Sequence, residues 1–441
     1  MLAGVGFREK VLRLVLVAIV FLVVSKSIYA KTISFSEVVE QVVSGSYEVA
    51  LIDLDYKISQ SVAWEKAADF LPNLNARFST EYVKSLRPDA DDLFSISNML
   101  MGNQTKYQSS VSLDFSYTLS DYGVRAHALN YAIFDRSQKE IEREKTVKDL
   151  SLNILELYKN ILVKIEQKRM LSITLKLQKE ILGMTKRLRK AKVISAVELT
   201  DAAIEMSTTI EQFDTVGYEL DQYLQELTYF TKQTYNQRKD VFMGFEVGDD
   251  LAFNQQEPED SYEYKIADFE VKKKEEEFRP LGASVLPKVD TYASYGSYGS
   301  DPKKLLKGIH NISKQNFVAG VDVTVPLFEW LKVPLKHQRI KKEIQRLKLE
   351  RARLVDQLNK NNRSIMDNIE LASKNVVLRK TVKGDVYQKA NMKWKLGKSK
   401  LVYQTEQLRS KIEKINEDAV YKISKINKDY EVMRFMIINK G

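Results

Sequence analysis

One structural unit occurs twice in this 441-residue chain. Each copy has an apolar stretch ending in Leu-Pro, then two segments in which polar and apolar residues alternate, then a very long uninterrupted helical pattern. The two Leu-Pro pairs are Leu71-Pro72 and Leu286-Pro287, about 215 residues apart. Self-similarity at a long spacing indicates repeated copies of one unit in similar surroundings. The duplication therefore predicts two equivalent structural repeats.

The chain divides into four predicted regions. Residues 1–30 have basic residues, an apolar run of about 11 residues and a small residue, Ala30, at the expected cleavage point of a secretory signal peptide. An uncleaved membrane anchor is the alternative, but a spanning helix needs about 20 apolar residues. The first repeat covers residues 31–245, an acidic linker covers 246–262, and the second repeat covers 263–441.

The alternating segments predict four β-strands. In the first copy they lie at residues 74–82 and 110–119, and in the second at 289–298 and 317–327. Period-two alternation gives a strand one apolar and one polar face, and about ten residues suffice for a tilted strand to cross a bilayer. Long polar loops are expected at 83–108 and 299–316.

Very long helices are predicted after each strand pair. Neither proline nor glycine occurs between Gly123 and Gly183, and about sixty residues at 1.5 Å rise form a rod of about 100 Å. Such a helix with a narrow apolar stripe is typical of a coiled-coil-like assembly. The second copy repeats it at 335–396. The remaining predicted helices are a single helix over 35–70 and two returning helices over 197–235 and 401–436.

Composition excludes several functional classes. The formal net charge is +10, but acidic and basic residues are interspersed along the helices, which is typical of solvated faces and not of a nucleic-acid surface. There is no cysteine, and the three histidines are scattered. Because no nucleophile motif, phosphate loop or cluster of metal ligands occurs, we predict no enzyme activity, no cofactor and no metal.

Four strands per chain cannot close a barrel. Sheet edges are not tolerated in lipid, so several chains must contribute strands to one barrel. Six polar residues of the predicted strands are expected to line its water-filled lumen. They are Asn75, Arg77, Glu81, Asp114, Asp322 and Thr324.

The order of these features resembles the TolC family of outer membrane efflux proteins, over nearly the whole mature chain. The segments that carry the resemblance are Leu71-Pro72-Asn73-Leu74, Leu286-Pro287-Lys288-Val289, Val323-Thr324-Val325-Pro326-Leu327-Phe328 and the two hairpin tips at 192–199 and 397–404. The resemblance implies a mainly α fold with a small membrane β-barrel: a homotrimer with a 12-stranded barrel in outer membrane lipid and a helical barrel extending into the periplasm. It also implies two partners, a periplasmic adaptor protein and an inner-membrane transporter.

The resemblance further implies functional residues at the hairpin tips. Acidic side chains on the last helix form constricting rings in the family, and the matching positions are Tyr403 and Glu406. Their first-copy equivalents are Glu198 and Asp201. The expected adaptor-docking residues are Lys192, Ser195, Gly397 and Lys400. In this chain Lys192 replaces a glycine of the family pattern.

Three functions remain open from the sequence. The first is a passive exit duct of a tripartite pump that exports small molecules, and the second is a tunnel for type I protein secretion. The third is a periplasmic coiled-coil protein that does not conduct. The alternating strands favour a channel over the third, because a water-soluble spacer has no reason to present an apolar strand face.

Overall fold

The computed structural model describes residues 32–82, 107–237, 239–247, 256–301, 303–398 and 403–439. Its elements up to residue 247 are, in chain order, β1 (Thr32–Ile33), α1 (Phe35–Gly45), α2 (Tyr47–Ala68), β2 (Asn73–Tyr82), β3 (Tyr107–Ser120), α3 (Val124–Lys190), α4 (Ala196–Thr231) and β4 (Val241–Phe242). After them come α5 (Tyr262–Phe278), β5 (Lys288–Asp301), α6 (Leu305–His310), β6 (Lys314–Thr324), α7 (Glu329–Lys398) and α8 (Gln404–Ile438). The fold is mostly helical, as predicted.

The two predicted long helices are present. Helix α3 has 67 residues and α7 has 70, and each is followed by a shorter helix, α4 or α8. Helix α7 begins six residues before the predicted start and includes Pro334. Pro334 is the sixth residue of the helix, just past its first turn, and its missing N–H removes one hydrogen bond of the helix. Within the described ranges, none of the helices is sufficiently long and apolar to cross a membrane.

Two other sequence expectations were wrong in detail. The predicted helix over 35–70 is divided at Ser46, whose backbone is extended and whose Oγ accepts the N–H of Glu48 at 3.1 Å. The predicted loop over 299–316 contains α6 and the ends of β5 and β6. Helix α6 approaches the strand so closely that a Cβ on Gly299 would lie 2.2 Å from the carbonyl oxygen of Gly308. Residues 1–31 and 83–106 lie outside the described residues, and so do the predicted signal peptide and most of the first loop.

The chain forms two compact units, of which one lies within residues 1–52, 143–262 and 355–441. Its main core joins α1, α3 and α4 through buried apolar side chains, among them Val38, Ile154 and Leu227. Burial of each such side chain stabilises the fold by about 1.5–3 kcal/mol. At the edge of this core the Tyr158 hydroxyl lies 2.8 Å from the Ile33 carbonyl oxygen and 2.7 Å from that of Met243. Tyr158 thereby fixes the short parallel pair β1–β4 against α3.

The same unit has a second, smaller core. Ile365 and Ile369 of α7 pack against Val432 and Phe435 of α8. These apolar contacts hold the second helical hairpin together at the end away from its tip.

The other unit lies within residues 53–142 and 263–354 and contains a four-stranded antiparallel sheet in the order β2-β3-β5-β6. The turn from β3 to α3 needs two residues of positive φ, Tyr122 at 53° and Gly123 at 87°. Asp121 stabilises this turn, because its carboxylate accepts the N–H groups of Gly123 and Arg125 at 3.1 and 3.0 Å. The helix α3 therefore starts at a fixed angle to its strand.

A buried carboxylate joins α3 to α5 in this unit. Glu276 is 3% exposed, and His127 Nδ1 lies 2.7 Å from its Oε2. Asn130 donates to the same oxygen at 3.3 Å, and Arg279 donates to the other one. Burial raises the pKa of Glu276, but the hydrogen bonds from His127 and Asn130 and the charge of Arg279 outweigh it, so the pKa lies below its usual range.

Candidate channel face and hairpin tips

The strand register gives the sheet one polar and one apolar face. Asn75 is opposite Asp114 across β2–β3, and Asp290 is opposite Asp322 across β5–β6. Because side chains alternate between faces along a strand, the register assigns each residue to one face. All six residues predicted to line a lumen, including Arg77, lie on the same face of the sheet.

The polar face carries both signs of charge in a hydrogen-bonded network. Asp114 accepts hydrogen bonds from Ser294 at 2.6 Å and from Ser112 at 3.1 Å. Asp290 accepts from Thr118 at 2.6 Å and pairs with Lys288 at 3.0 Å. Since cationic and anionic side chains, such as Lys288 and Asp290, both lie on it, this face suits a water-filled passage of weak ion selectivity.

The opposite face of the sheet is apolar and uncovered. Its exposed side chains are Leu74, Phe78, Leu113, Phe317, Val321 and Val323. Contiguous exposed apolar surface of this extent marks a site of contact with lipid or another protein. The two outer strands, β2 and β6, each pair with one neighbour in the described chain. One row of backbone N–H and C=O groups on each is therefore available for pairing with a strand of another chain.

The first hairpin tip is fixed by backbone geometry. Lys192 has a φ of 58°, in the left-handed region that favours glycine. Its N–H bonds to the Arg189 carbonyl and that of Val193 to the Leu188 carbonyl, both at 3.0 Å, which is the pattern of a Schellman helix end. Lys192 is exposed, and its predicted docking role stays a prediction.

Two further predicted tip residues begin α4. Ser195 is its N-cap and accepts the N–H of Glu198 at 3.2 Å. Glu198 lies in the first helical turn, where the helix dipole favours a negative charge. Glu198 and Asp201 are both exposed. These local roles explain why Ser195 and Glu198 occur at this spacing, and they leave a role in a constriction untested.

At the second tip, Glu406 is not an isolated carboxylate. It lies in the first turn of α8, and Lys393 of α7 donates to it at 3.0 Å. Tyr403 immediately precedes α8 and is exposed, and its side chain does not cap the helix. Any ring formed by Glu406 would thus be partly neutralised by Lys393. Lys400 lies outside the described residues.

Gly397 lies where the side chain of Gln407 leaves no room for a Cβ atom. A Cβ at this position would lie 1.2 Å from Nε2 of Gln407, so a larger residue would displace that side chain. The missing side chain lets α7 and α8 approach each other at the tip. This does not test the predicted contact of Gly397 with an adaptor protein.

Sequence reasoning missed one contact between the two hairpins. Arg409 of α8 pairs with Glu205 of α4 at 3.2 Å, and both side chains are 46% exposed. Exposed pairs of this kind contribute at most about 1 kcal/mol. The pair nevertheless shows which turn of α4 lies beside which turn of α8. No sequence signal identifies it, because the two residues are 204 positions apart.

Across the described ranges, no group of three or more His, Cys, Asp or Glu residues is arranged to hold a metal ion. His127 instead contacts the buried Glu276, and the His337 ring packs 4.2 Å from that of Phe278. Both histidines therefore have structural contacts within the fold.

Comparison with known proteins gives a consistent result. Residues 57–231 match the sequence model of the outer membrane efflux protein family. No curated protein sequence matches the chain.

Solved structures with the same fold include three bacterial membrane proteins. A membrane protein from Pseudomonas aeruginosa has a TM-score of 0.75 at 12% identity, with 92% of this chain and 93% of that one covered. The Campylobacter jejuni CmeC outer membrane channel has 0.72 at 13%, covering 92% and 85%. The Vibrio cholerae outer membrane protein VceC has 0.70 at 11%, covering 91% and 93%.

Proposed function

This chain belongs to the TolC-like outer membrane efflux protein family, and from that premise we propose that it is the passive exit duct of a tripartite efflux pump. In this proposal three copies form one channel in the outer membrane, with a helical tunnel extending into the periplasm. An inner-membrane transporter supplies the energy for export, and a periplasmic adaptor joins that transporter to the tunnel. The family consists of channels and not of enzymes, so the chain itself performs no reaction.

The two-faced sheet is the observation that carries the proposal. Its apolar face suits lipid, and its polar face, with Arg77 and Asp114, suits water. Backbone groups must be paired in hydrocarbon, and a sheet with two open edges leaves a row unpaired at each. Pairing β6 of one copy with β2 of the next removes both edges, and three four-stranded sheets give 12 strands.

The hairpin tips are the proposed place of closure and docking. A ring of Glu406 and Tyr403 from three copies would narrow the passage, with Glu198 and Asp201 beside it. Lys393, which contacts Glu406, reduces the net charge of such a ring, so the selectivity for cations is expected to be weak.

The proposed adaptor surface includes the exposed Lys192 and Ser195. Lys400 and Gly397 would complete it at the second tip. Residues 1–30 would direct export of the chain and be removed.

Single-channel recording tests this function. Purified mature protein is added to a planar lipid bilayer, and its mass is measured in detergent. We expect a trimer that gives discrete conductance steps. A monomer that never conducts would refute the channel and favour a structural protein of the periplasm. A protein-secretion tunnel would conduct in the same way, and it is separated from an efflux duct by the partner proteins that copurify.

A further inference from the structure

Helix α6 lies on the apolar face of the sheet. A Cβ on Gly299 of β5 would lie 2.2 Å from the Gly308 carbonyl oxygen, so α6 covers the face toward which a side chain at position 299 would point. Gly299 is opposite Ser109 of β3, and Ser109 is opposite Thr80 of β2. Because directly opposite residues share a face and faces alternate along a strand, this is also the face of Phe78. The helix therefore lies on the surface that the proposed channel presents to lipid.

The two inner strands of the sheet support α6. A Cβ on Gly308 would lie 3.6 Å from Oγ of Ser109 in β3 and 3.7 Å from the backbone nitrogen of Asp301 in β5. Ser109 is only 1% exposed as a result of this cover. The open edges at which another copy would pair belong to the outer strands, β2 and β6. The position of α6 between these edges favours lipid, and not a second copy, as its neighbour.

Helix α6 follows the end of the sheet that is remote from the long helices. Strands β3 and β6 lead into α3 and α7 at the other end, after Ser120 and Thr324. Gly299 is 11 residues beyond Lys288, the first residue of β5, which is about 36 Å along the strand. At a tilt of about 45° this corresponds to about 25 Å of height, the thickness of the apolar band of a membrane barrel. In the proposed channel, α6 thus lies where hydrocarbon meets the headgroups of the outer leaflet.

An aromatic pair lies at the same level. Tyr82 and Tyr107 are opposite each other across β2–β3, and their ring centroids are 5.1 Å apart. Tyr107 also contributes the carbonyl oxygen that would lie 3.4 Å from a Cβ on Gly308. Tyrosine is enriched at membrane–water interfaces, where its ring is apolar and its hydroxyl is hydrated. The pair independently indicates a membrane boundary beside α6.

The leucine side chains of α6 are open to the surroundings of the sheet. Leu306 is 78% exposed and Leu305 is 40% exposed. Leu306 is two residues before Gly308, and two helical steps rotate a side chain by about 200°, so Leu306 points away from the strands. Both leucines extend the apolar face on which the helix lies. Lipid hydrocarbon is an environment that suits such a surface.

The same short segment is basic. Residues 301–314 contain four lysines and one acidic residue, Asp301. Lys303 and Lys304 precede the helix and Lys307 lies within it, and all three are exposed. Asp301 accepts the backbone N–H groups of Lys303 and Lys304 at 2.8 and 2.7 Å, which fixes the turn before α6. In the part of the chain that the structure describes, none of these three lysines has an ion pair.

We propose that α6 binds the phosphate groups of an outer-leaflet lipid, with Lys303, Lys304 and Lys307 at the phosphates and Leu306 in the hydrocarbon. The inference rests on the proposed function, because it requires the sheet to span the outer membrane. Lysine keeps its charged end in the polar layer while its stem lies along apolar surface. A short helix that combines basic and exposed apolar side chains suits the boundary between headgroups and hydrocarbon. An acidic protein in water would match the lysines but would leave Leu306 exposed.

Native mass spectrometry of the purified protein in detergent tests this binding. The protein is titrated with lipid A that carries two phosphates and with the same lipid A after both phosphates are removed. EDTA is present, so that no divalent cation bridges the phosphates. We expect the phosphorylated lipid to bind at least about tenfold more tightly, because each lysine near an anionic group strengthens binding about fivefold. The triple variant Lys303→Gln, Lys304→Gln, Lys307→Gln should lose that preference.

A matched variant controls for the loss of three charges. Lys57→Gln, Lys341→Gln, Lys342→Gln removes three exposed lysines from α2 and α7, the helices that join the sheet at its other end. This control should bind both lipids as the wild type does. Leu306→Ser tests the apolar part of the site, and it should weaken binding of both lipids. Inorganic phosphate in large excess should not displace the phosphorylated lipid, since it lacks the acyl chains.

The outcomes separate this inference from the proposed function, because trimer mass and channel conductance are measured on the same preparations. A conducting trimer whose phosphate preference is lost only in the α6 triple variant supports the lipid site. Equal binding of both lipids by the wild type, or an unchanged preference in that variant, overturns the site while the channel proposal stands. Displacement by inorganic phosphate also overturns it, because the lysines would then bind free anions. A monomer that never conducts overturns both.

Discussion

Replacement of Glu276 by glutamine should weaken the fold by about 2–3 kcal/mol. Glutamine keeps the size and one acceptor oxygen but removes the charge that His127, Asn130 and Arg279 contact. Hydrogen bonds to a charged group contribute about 1.5–3 kcal/mol each, roughly twice the neutral value. Arg279 is 55% exposed, so solvent screens its share and most of the loss comes from the other two contacts.

The same substitution should remove part of the acid sensitivity of the protein. The pKa of Glu276 is lower in the fold than in the unfolded chain, where it is about 4.3. Its stabilising contribution is therefore fully present above about pH 4.3 and is lost as the pH falls through the folded-state pKa. The wild type should lose this contribution on acidification, and Glu276→Gln, which lacks it at every pH, should not.

Urea unfolding in detergent, followed by circular dichroism, measures both effects. Glu277→Gln is the matched control, because Glu277 is the next residue, is more exposed, and pairs with Lys274 at the surface at 2.7 Å. We expect the control to change the free energy of unfolding by less than about 1 kcal/mol. If Glu276→Gln is no more damaging than Glu277→Gln, or keeps the acid sensitivity of the wild type, the assigned role of Glu276 is wrong.

Three further substitutions test other parts of the fold. Lys192→Gly should stabilise the first tip by about 0.5–1 kcal/mol in thermal unfolding, because glycine avoids the cost of a left-handed backbone, whereas Lys192→Ala should not. Tyr158→Phe should cost about 1–2 kcal/mol of unfolding free energy, because the carbonyls of Ile33 and Met243 lose the buried Tyr158 hydroxyl as a donor; an unchanged value would contradict this. Glu406→Ala should raise single-channel conductance if Glu406 narrows the tip, while equal conductance and cation preference would exclude that role.

The long helices and the strands could be predicted from the sequence because their signals are local. The absence of glycine and proline after Gly123 gave α3, and period-two alternation gave β2 and β3. The division of the first helix at Ser46 was missed, because a side-chain hydrogen bond there competes with continuation of the helix. Helix α6 was missed because it depends on the close approach of Gly308 to Gly299, a contact with no local pattern.

The candidate site was predictable only in part. Alternation assigned the polar residues to one face, and the register agrees for all six. The partners of charged residues were not predictable, because they come from distant parts of the chain. His127 is 149 positions from Glu276. Lys393 and Glu406 are only 13 positions apart, but they lie on different helices, α7 and α8. Such contacts depend on helix packing, which composition and periodicity do not specify.

The open edges of the sheet have a consequence for the kinetics of assembly. A single copy in hydrocarbon would leave one row of backbone groups unpaired on β2 and another on β6, at a cost of several kcal/mol per group. For the channel proposed above, no inserted state of one copy would then be well populated, and insertion would have to wait for the encounter of several chains. The rate at which channels appear in a bilayer should therefore rise more steeply than linearly with protein concentration, so that a membrane holds complete channels or none.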